Sequence, residues 1–270
     1  MRDIISAEGI TPFLSNHNPP EHIHVFGSLA STNKTAKEMI MVGIEHGTVI
    51  IADSQTAGKG RHGRAFHSPP GHGIYMSTIL HSEQLWFKTP TLVTAFAAVS
   101  VCESIEAISD KNPQIKWVND IYLNNRKICG ILTESVMVSG TQWTIIGIGI
   151  NFSTPSAEFP EELRNIAGSV FADGNPTVTR NRLIGEIMNR IISPDKRYSD
   201  KELLDVYKKR LMMLGRSITV MGGGTAYAAT AVDIDDAGRL IVRSVDGKLR
   251  PLSAGEISIS IFKNPPPRSY

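Results

Sequence analysis

Cysteine is nearly absent: only Cys102 and Cys129 occur in 270 residues, both in apolar surroundings. A disulfide framework is thereby excluded as the organising device, and a reduced, cytoplasmic setting is expected. No apolar run approaches the roughly 18 residues of a membrane helix. The N-terminus carries Asp3 and Glu8 and no continuous apolar core, so it does not read as a secretory signal. Net charge is small at +2, too little for bulk attraction to nucleic acid. No internal repeat or low-complexity tract is present. His22-Ile23-His24 and the pair His67 and His72 stand without an H-E-x-x-H pattern or a cysteine cluster, so no metal site is expected. What remains is the composition of a soluble globule, 41% hydrophobic and 20% charged, with enough apolar residues for a real core.

Against this even background one loop stands out: Gln55-Thr56-Ala57-Gly58-Lys59-Gly60-Arg61-His62-Gly63-Arg64, following the apolar run Val49-Ile50-Ile51-Ala52. Glycine lets backbone approach a ligand closely, and interleaved Lys and Arg supply charge-assisted donors for phosphate or carboxylate. Cations crowded on flexible backbone repel one another until an anion joins them. The loop reads as a lid completed by a small anionic ligand, with a solvated surface turn as the plainer reading. It satisfies G-x-G-x-x-G, but Ser68-Pro69-Pro70-Gly71 forbids the helix that a dinucleotide site places next. Gly60 follows Gly58-Lys59, so the Ser or Thr of a P-loop is missing. A nucleic-acid patch would need interleaved aromatics, and only Phe66 is near.

Periodicity divides the chain. Residues 1–21, with Pro12, Pro19 and Pro20, read as an extended arm, followed by a short strand His22–Phe26. Ser31-Thr32-Asn33 stands as an N-cap cluster before Ala36, Ile40 and Ile44, spaced for a helix that Gly47 closes. Strands are expected at Thr48–Asp53 and Ile74–Leu80, and Pro90 opens a long buried helix. Strands Ile115–Val118 and Ile121–Leu123 precede an Asn124-Asn125 hairpin into Lys127–Glu134, and Gln142–Asn151 is a further strand. Its Gly147-Ile148-Gly149-Ile150-Asn151 end suits close approach of backbone to a ligand. Residues 152–178 read as irregular. Leu183, Ile184, Ile187, Met188 and Ile191 mark a helix, and Ser199-Asp200-Lys201-Glu202 is a capping box for another, closed by Gly215, with Leu204, Tyr207 and Leu211 on its inner face. Beyond Ser217 only short alternating strands appear: Ser217–Met221, Thr225–Asp233, Arg239–Arg243 and Glu256–Phe262. Turn residues Gly222-Gly223-Gly224, Asp236-Ala237-Gly238 and Asp246-Gly247 separate them. The fold class is therefore α+β, a main domain over residues 22–214 and a small all-β domain over 215–270.

A second constellation is Lys116-Trp117-Val118-Asn119-Asp120 with Lys127-Ile128-Cys129-Gly130-Ile131-Leu132. Lys127 lies between apolar flanks and is partly desolvated unless it faces an anion. Taken alone, a snorkelling lysine with its head in water explains it as well.

Together these residues resemble the biotin–protein ligase family. The landmarks occur in order: Ser31-Thr32-Asn33; Gln55 with Gly58 to Arg64; Ser68-Pro69 through Gly73-Ile74-Tyr75-Met76-Ser77; Lys116 to Asp120; Lys127 with Gly130-Ile131-Leu132; Gly149-Ile150-Asn151; and Gly255-Glu256-Ile257-Ser258. The resemblance implies a mixed sheet flanked by helices, as in class II synthetase-like biotin–lipoate ligases, with a C-terminal SH3-like barrel. It implies a two-step reaction, in which ATP, with Mg2+, activates biotin to biotinyl-5′-AMP and a lysine of a biotin carboxyl carrier protein then takes the biotinyl group. The acceptor would belong to acetyl-CoA carboxylase or a related carboxylase. Ser31, Thr32, Asn33, Gln55, Gly58, Lys59, Gly60, Arg61, Lys127 and Gly130 would form the biotin site. Arg64, Lys116, Trp117, Asn119 and Asn151 would serve the nucleotide, and Lys127, Arg61 and Asp120 the chemistry, with a structural hydrogen bond as the plainer reading of Asp120.

Four positions depart from the family pattern: Lys59 for Arg, Phe66 for Trp, Val118 for Pro, and Cys129 for a small residue. Lys59 cannot make a planar bidentate contact, so weaker loop closure is expected. The short stretch before Ser31 does not suit a DNA-binding domain, so no DNA partner and no membrane partner are expected, whereas an exposed strand of the main sheet would let two copies pair as a homodimer. A lipoate or octanoate ligase or transferase of the same fold, and a non-catalytic biotin-binding module, are the alternatives.

Overall fold

A computed structural model of the chain describes residues 3–15, 20–87, 89–192, 197–222, 225–252 and 258–260. Its centre is a seven-stranded mixed sheet built from β1 (Ile23–Phe26), β2 (Val49–Ala52), β3 (Gly73–His81), β4 (Gln114–Lys116), β5 (Asp120–Leu123), β6 (Arg126–Val138) and β7 (Thr141–Asn151). The spatial order is β1-β2-β3-β7-β6-β5-β4. β1 runs parallel to β2, and every other neighbouring pair is antiparallel. The β5–β6 hairpin turns through Asn124 and Asn125, at φ of 50° and 61°, the left-handed pair of values that a two-residue hairpin demands.

Alternation along the strands sends the two faces of the sheet to different partners. Val49, Ile51, Ile74, Met76, Leu80, Ile146, Ile148 and Ile150 join one core with α3 (Pro90–Ile108), α4 (Arg180–Ile191) and α5 (Asp200–Arg210). Ile50, Ile79 and Ile145 face the other way and pack on Ala36 and Ile40 of α2 (Thr32–Met41). Pro90 starts α3 with the Thr89 side chain accepting from the Leu92 amide, so the proline sits where its missing N–H is harmless. α5 carries the expected Ser199–Glu202 capping box, but its fully buried positions are Leu203 and Tyr207, with Leu204 half-buried.

Several expectations are corrected. α3 is long and apolar enough to cross a membrane by length and composition, contrary to the reading that no such run exists, and 78% of its apolar window is buried inside the fold. The N-terminal segment is not extended: α1 (Ala7–Ile10) and a 3-10 turn, Thr11–Phe13, occupy it. Ser6 caps α1 by accepting from Gly9, Pro12 sits in the first turn of the 3-10 helix, and Ile10 is fully buried. Phe13 packs so tightly on α4 that a Cβ at Gly185 would come within 2.7 Å of it. α2 stops at Met41 because the chain turns at Gly43, φ +86°, leaving Ile44 to pack from a loop.

The C-terminal part forms a separate five-stranded antiparallel sheet of SH3-like character, ordered β11-β10-β9-β8-β12. Its strands are β8 (Ser217–Gly222), β9 (Thr225–Ile234), β10 (Leu240–Ser244), β11 (Leu249–Leu252) and β12 (Ser258–Ser260). β11 is an addition to the sequence reading; it is an edge strand, the position where Pro251 is tolerated. Gly223, Gly224, Gly255, Glu256 and Ile257, with residues 261–262 of the last expected strand, lie outside the described residues. The Trp117 indole N–H, between β4 and β5, donates to Gly238 O at 2.9 Å, and Lys208 of α5 pairs with Asp233 of β9 at 2.5 Å.

Candidate active site

Strand register assembles one row across the sheet. Lys116 pairs with Asp120, Asp120 with Gly130, Gly130 with Gly149, Gly149 with Tyr75, and Tyr75 with Ala52. Directly paired residues project to the same face, which here is the α2 face. The two glycines leave a slot in the middle of the row, and the Phe66 ring fills part of it. A Cβ at Gly149 would meet that ring at 2.6 Å and one at Gly130 would meet it at 3.3 Å. The same Gly130 Cβ would lie 3.5 Å from Lys127 Nζ. Glycine is required at 149 because the Phe66 ring stands where a Cβ would go.

The basic loop is a small hairpin. Phe66 N donates to Gly58 O at 2.9 Å and Gly60 N to Arg64 O at 2.7 Å, with Lys59 bridged to Ala65. Its tip, Arg61–Gly63, is a 3-10 turn in which His62 and Gly63 take φ of 56° and 73°. Gly58 is buried, and a Cβ there would stand 2.6 Å from Phe66 O and 2.8 Å from Ser68 Oγ. Lys59 and Arg64 are exposed, whereas Arg61 reaches inward and donates to Asn119 Oδ1 at 3.1 Å.

Three cations, Lys127, Lys116 and Arg61, thereby share one carboxylate, Asp120, with Arg64 close to Lys116. Lys127 Nζ lies 2.6 Å from Asp120 Oδ1, both side chains being largely shielded. A bulge in β6 opposite Ile121 and Tyr122 aligns Lys127 with the row. Burial pushes the Lys116 ammonium below its usual range; Asp120 opposes this, and the charges of Lys127 and Arg64 add to it. Burial also lowers the Arg61 guanidinium, against the pull of Asp120 and Tyr207. Excess positive charge held partly out of water is an arrangement that an anion relieves.

Next to the cations runs a chain of neutral groups. Gln55 Oε1 accepts from Thr32 N at 2.9 Å, and Gln55 Nε2 donates to Ser68 Oγ at 3.0 Å, which donates to Phe66 O at 3.0 Å. Ser77 Oγ lies 2.7 Å from Thr32 Oγ1 and 2.6 Å from Asn33 Oδ1. Asn33 Nδ2 donates to Leu132 O at 3.2 Å and Glu134 Oε2 at 2.8 Å. Gly147 makes room for this amide, since a Cβ there would fall 2.1 Å from Asn33 Oδ1. Ser31 is the N-cap residue of α2 without a side-chain capping bond; Thr32 and Asn33 belong to the first turn, and their side chains face the sheet instead.

Not every candidate residue joins this cluster. Trp117 is buried, and its indole N–H is committed to Gly238 O, in the turn between β9 and β10. The Asn151 amide nitrogen donates to Gly168 O at 3.0 Å and Lys127 O at 3.5 Å. It clamps the 166–168 segment onto Lys127, whose N donates to Ile166 O at 2.8 Å. Conversely, Ser77 and Glu134 are integral to the site though absent from the candidate set. Ser77 could have been found as the small hydroxyl standing between Tyr75 and Ile79 on one face of β3.

Residues 25–151 match the Biotin/lipoate A/B protein ligase family, and residues 213–260 match the Biotin protein ligase C terminal domain. A relative from Bacillus spizizenii, Bifunctional ligase/repressor BirA, is 37% identical over 244 residues, covering 87% of this chain and 73% of its own. Biotin–[acetyl-CoA-carboxylase] ligase of Mycobacterium tuberculosis is 30% identical over 219 residues, covering 78% of each. Among solved structures, the biotin protein ligase of Aquifex aeolicus in complex with biotin and ATP superposes with a TM-score of 0.75 at 25% identity, over 88% of this chain and 98% of that one. With that agreement over both sheets, the chain belongs to the biotin protein ligase family.

Proposed function

We propose that this chain uses ATP to convert biotin to biotinyl-5′-AMP and transfers the biotinyl group to a lysine of a biotin carboxyl carrier protein. The observation that carries this reading is the Lys127–Asp120 pair set over the Gly130–Gly149 slot, with Arg61, Arg64 and Lys116 around it. Asp120 there stands in for an incoming carboxylate. In the first step a biotin carboxylate oxygen attacks the α-phosphorus of ATP, and the bond to the β-phosphate oxygen breaks to release pyrophosphate. Lys127 would hold the carboxylate beside the α-phosphate and then bear on the negative charge growing at phosphorus. Arg61, Arg64 and Lys116 would meet the remaining phosphate charge, and Asn119 would orient Arg61.

In the second step the neutral amine of the acceptor lysine attacks the acyl carbon, AMP leaves, and an amide remains. Until then the mixed anhydride must be kept from water. The hairpin of Gly58–Phe66 is suited to lie over it, with Lys59 and Gly60 closing the edge. Thr32, Gln55 and Ser77 offer neutral donors and acceptors that match an uncharged ureido group, with Ser31 and Asn33 supporting them. Magnesium belongs here to the nucleotide: among the described residues no group of three or more His, Cys, Asp or Glu stands together. The cytoplasm suits this activity, where ATP and carboxylase acceptors meet.

Biotin-dependent exchange of pyrophosphate into ATP tests the reading. Exchange with biotin, and none with lipoate or octanoate, is the expected result. Exchange with lipoate instead would transfer the assignment to that ligase class, and biotin binding without exchange would reduce the chain to a binding module.

A further inference from the structure

The active-site row carries a surplus of positive charge. Lys116, Lys127 and Arg61 share the Asp120 carboxylate, and Arg64 adds its charge beside Lys116. The first step of the proposed reaction matches that surplus, because the triphosphate and the biotin carboxylate bring several negative charges together. The second step does not. Pyrophosphate has left, and biotinyl-5′-AMP keeps a single negative charge on its phosphate. The site that meets the acceptor is then overcharged. An unperturbed lysine titrates at about 10.4 and is almost wholly an ammonium at neutral pH, a form with no lone pair for attack.

Lys116 is the cation best placed to act on that amine by charge alone. Lys127 and Arg61 are engaged, with Asp120 and Asn119, and Arg64 is exposed. Lys116 ends β4, the edge strand of the sheet, and its partner Asp120 is paired in turn with Gly130 of the slot. Two strand spacings, about 10 Å, separate it from that slot. Its side chain is half-buried, with Nζ 5.9 Å from the centre of the Tyr122 ring, and a charge held partly out of water is screened less than an exposed one. The groups that face it are Asp120 and Tyr122 of β5, Lys127 of β6 and Arg64 of the hairpin. Burial and the two cations work against its charge, and Asp120 supports it.

We propose that Lys116 serves the second step, its charge making the acceptor lysine enter as the neutral amine. This rests on the biotin-ligase reading and assigns the deprotonation that amide formation requires. The acceptor ammonium gives its first proton to water before it enters. The neutral nitrogen then attacks the acyl carbon, the acyl–oxygen bond breaks with its electrons passing to AMP, and nitrogen sheds a second proton to solvent.

The test follows transfer alone. Parent, Lys116→Gln and Lys116→Arg are each loaded with synthetic biotinyl-5′-AMP and mixed with excess isolated biotin carboxyl carrier domain. The single-turnover rate is read by mass spectrometry from neutral to alkaline pH. Lys116→Gln removes the charge, and its rate should rise with pH later than the parent's by about 0.5–1 unit. At neutral pH that is a loss of about three- to tenfold, which closes as pH rises. Lys116→Arg keeps the charge and should follow the parent's profile at neutral pH within about twofold. Trapping of the adenylate by hydroxylamine, a nucleophile already neutral over this range, should show no shift among the three proteins. A transfer profile that does not move in Lys116→Gln overturns the proposal. So does a shift shared by hydroxylamine, which would be a titration of the protein itself. Loss of transfer in Lys116→Arg at every pH also overturns it, since the lysine would then be needed as a proton acceptor and not as a charge. Thermal melts check folding, and Lys116→Met replaces a Gln variant that melts early. If the parent forms no biotinyl-5′-AMP from biotin and ATP, the functional reading fails instead.

Discussion

Lys127 and Asp120 are locked together at 2.6 Å, lysine and carboxylate both half-buried, over a glycine that leaves them room. On the proposed function Asp120 takes the place of the ligand carboxylate, and the two partners can be separated by mutation. Lys127→Ala should reduce biotin-dependent pyrophosphate exchange by about 100-fold or more, the usual cost of removing a group that meets charge in the transition state. Asp120→Asn should instead leave the lysine free of its competitor and tighten biotin, as seen by titration. Exchange that persists at the parent rate in Lys127→Ala would remove this lysine from the chemistry.

The contact between Phe66 and Gly149 gives the loop its anchor. Gly149→Ala places a methyl group where the ring now lies, at 2.6 Å. Overpacking of this kind costs about 1–3 kcal/mol, and here the loop gives way before the sheet does. The expected outcome is loss of bound biotinyl-5′-AMP into solution several times faster than from the parent, measured by quenching after gel filtration. The strand itself should keep its melting temperature within a few degrees. Lys59→Arg acts in the opposite direction: a planar guanidinium in place of a point charge should slow the same leakage.

Much of this site was legible in order but not in orientation. The glycines and cations of residues 55–64, and Lys127 between apolar flanks, announced themselves because charge and flexibility are costly where they serve nothing. The Pro-Pro-Gly after the loop excluded a dinucleotide helix, and the structure has a turn there followed by β3. Register was not legible. That Lys116, Asp120, Gly130 and Gly149 share one row depends on which residues pair across four strands, including a bulge, and one slip would turn every side chain to the other face. Glu134 was passed over because an acid near a strand end reads as solvated. The N-terminal helix was hidden by its prolines, since Pro12 reads equally as extended chain and as the start of a 3-10 turn.

Arg180 supports a prediction about stability. Its guanidinium is nearly fully buried, pairs with Asp3 at 2.9 Å and Asp53 at 2.7 Å, and also donates to Gly73 O at 3.1 Å. Asp53 in turn accepts from Gly71 N at 3.0 Å, so one cation ties the N-terminal segment to both ends of the stretch containing the basic loop. Arg180→Met leaves two carboxylates without their partner and should cost about 3–5 kcal/mol of unfolding free energy. Urea denaturation measures it. A loss below about 1 kcal/mol would show that solvent replaces the arginine.

Acid should expose the part Glu134 plays in the fold. Burial alone would raise its carboxyl above the usual value, but hydrogen bonds from Lys37 and Asn33, with the charges of Lys37 and Lys59, more than offset this and leave it lowered. A carboxyl lowered in the folded state contributes stability that is complete above its unfolded value and disappears as pH falls through the folded one. The parent and Glu134→Gln should therefore differ in stability by a constant amount at neutral pH. The difference should shrink only in the acid range below the ordinary carboxylate value, as Glu134 takes up a proton and comes to resemble the amide. Urea midpoints for both proteins across that range decide it; a difference that grows on acidification would mean that the folded state favours the protonated acid, and the carboxylate would then not be the acceptor that holds Asn33.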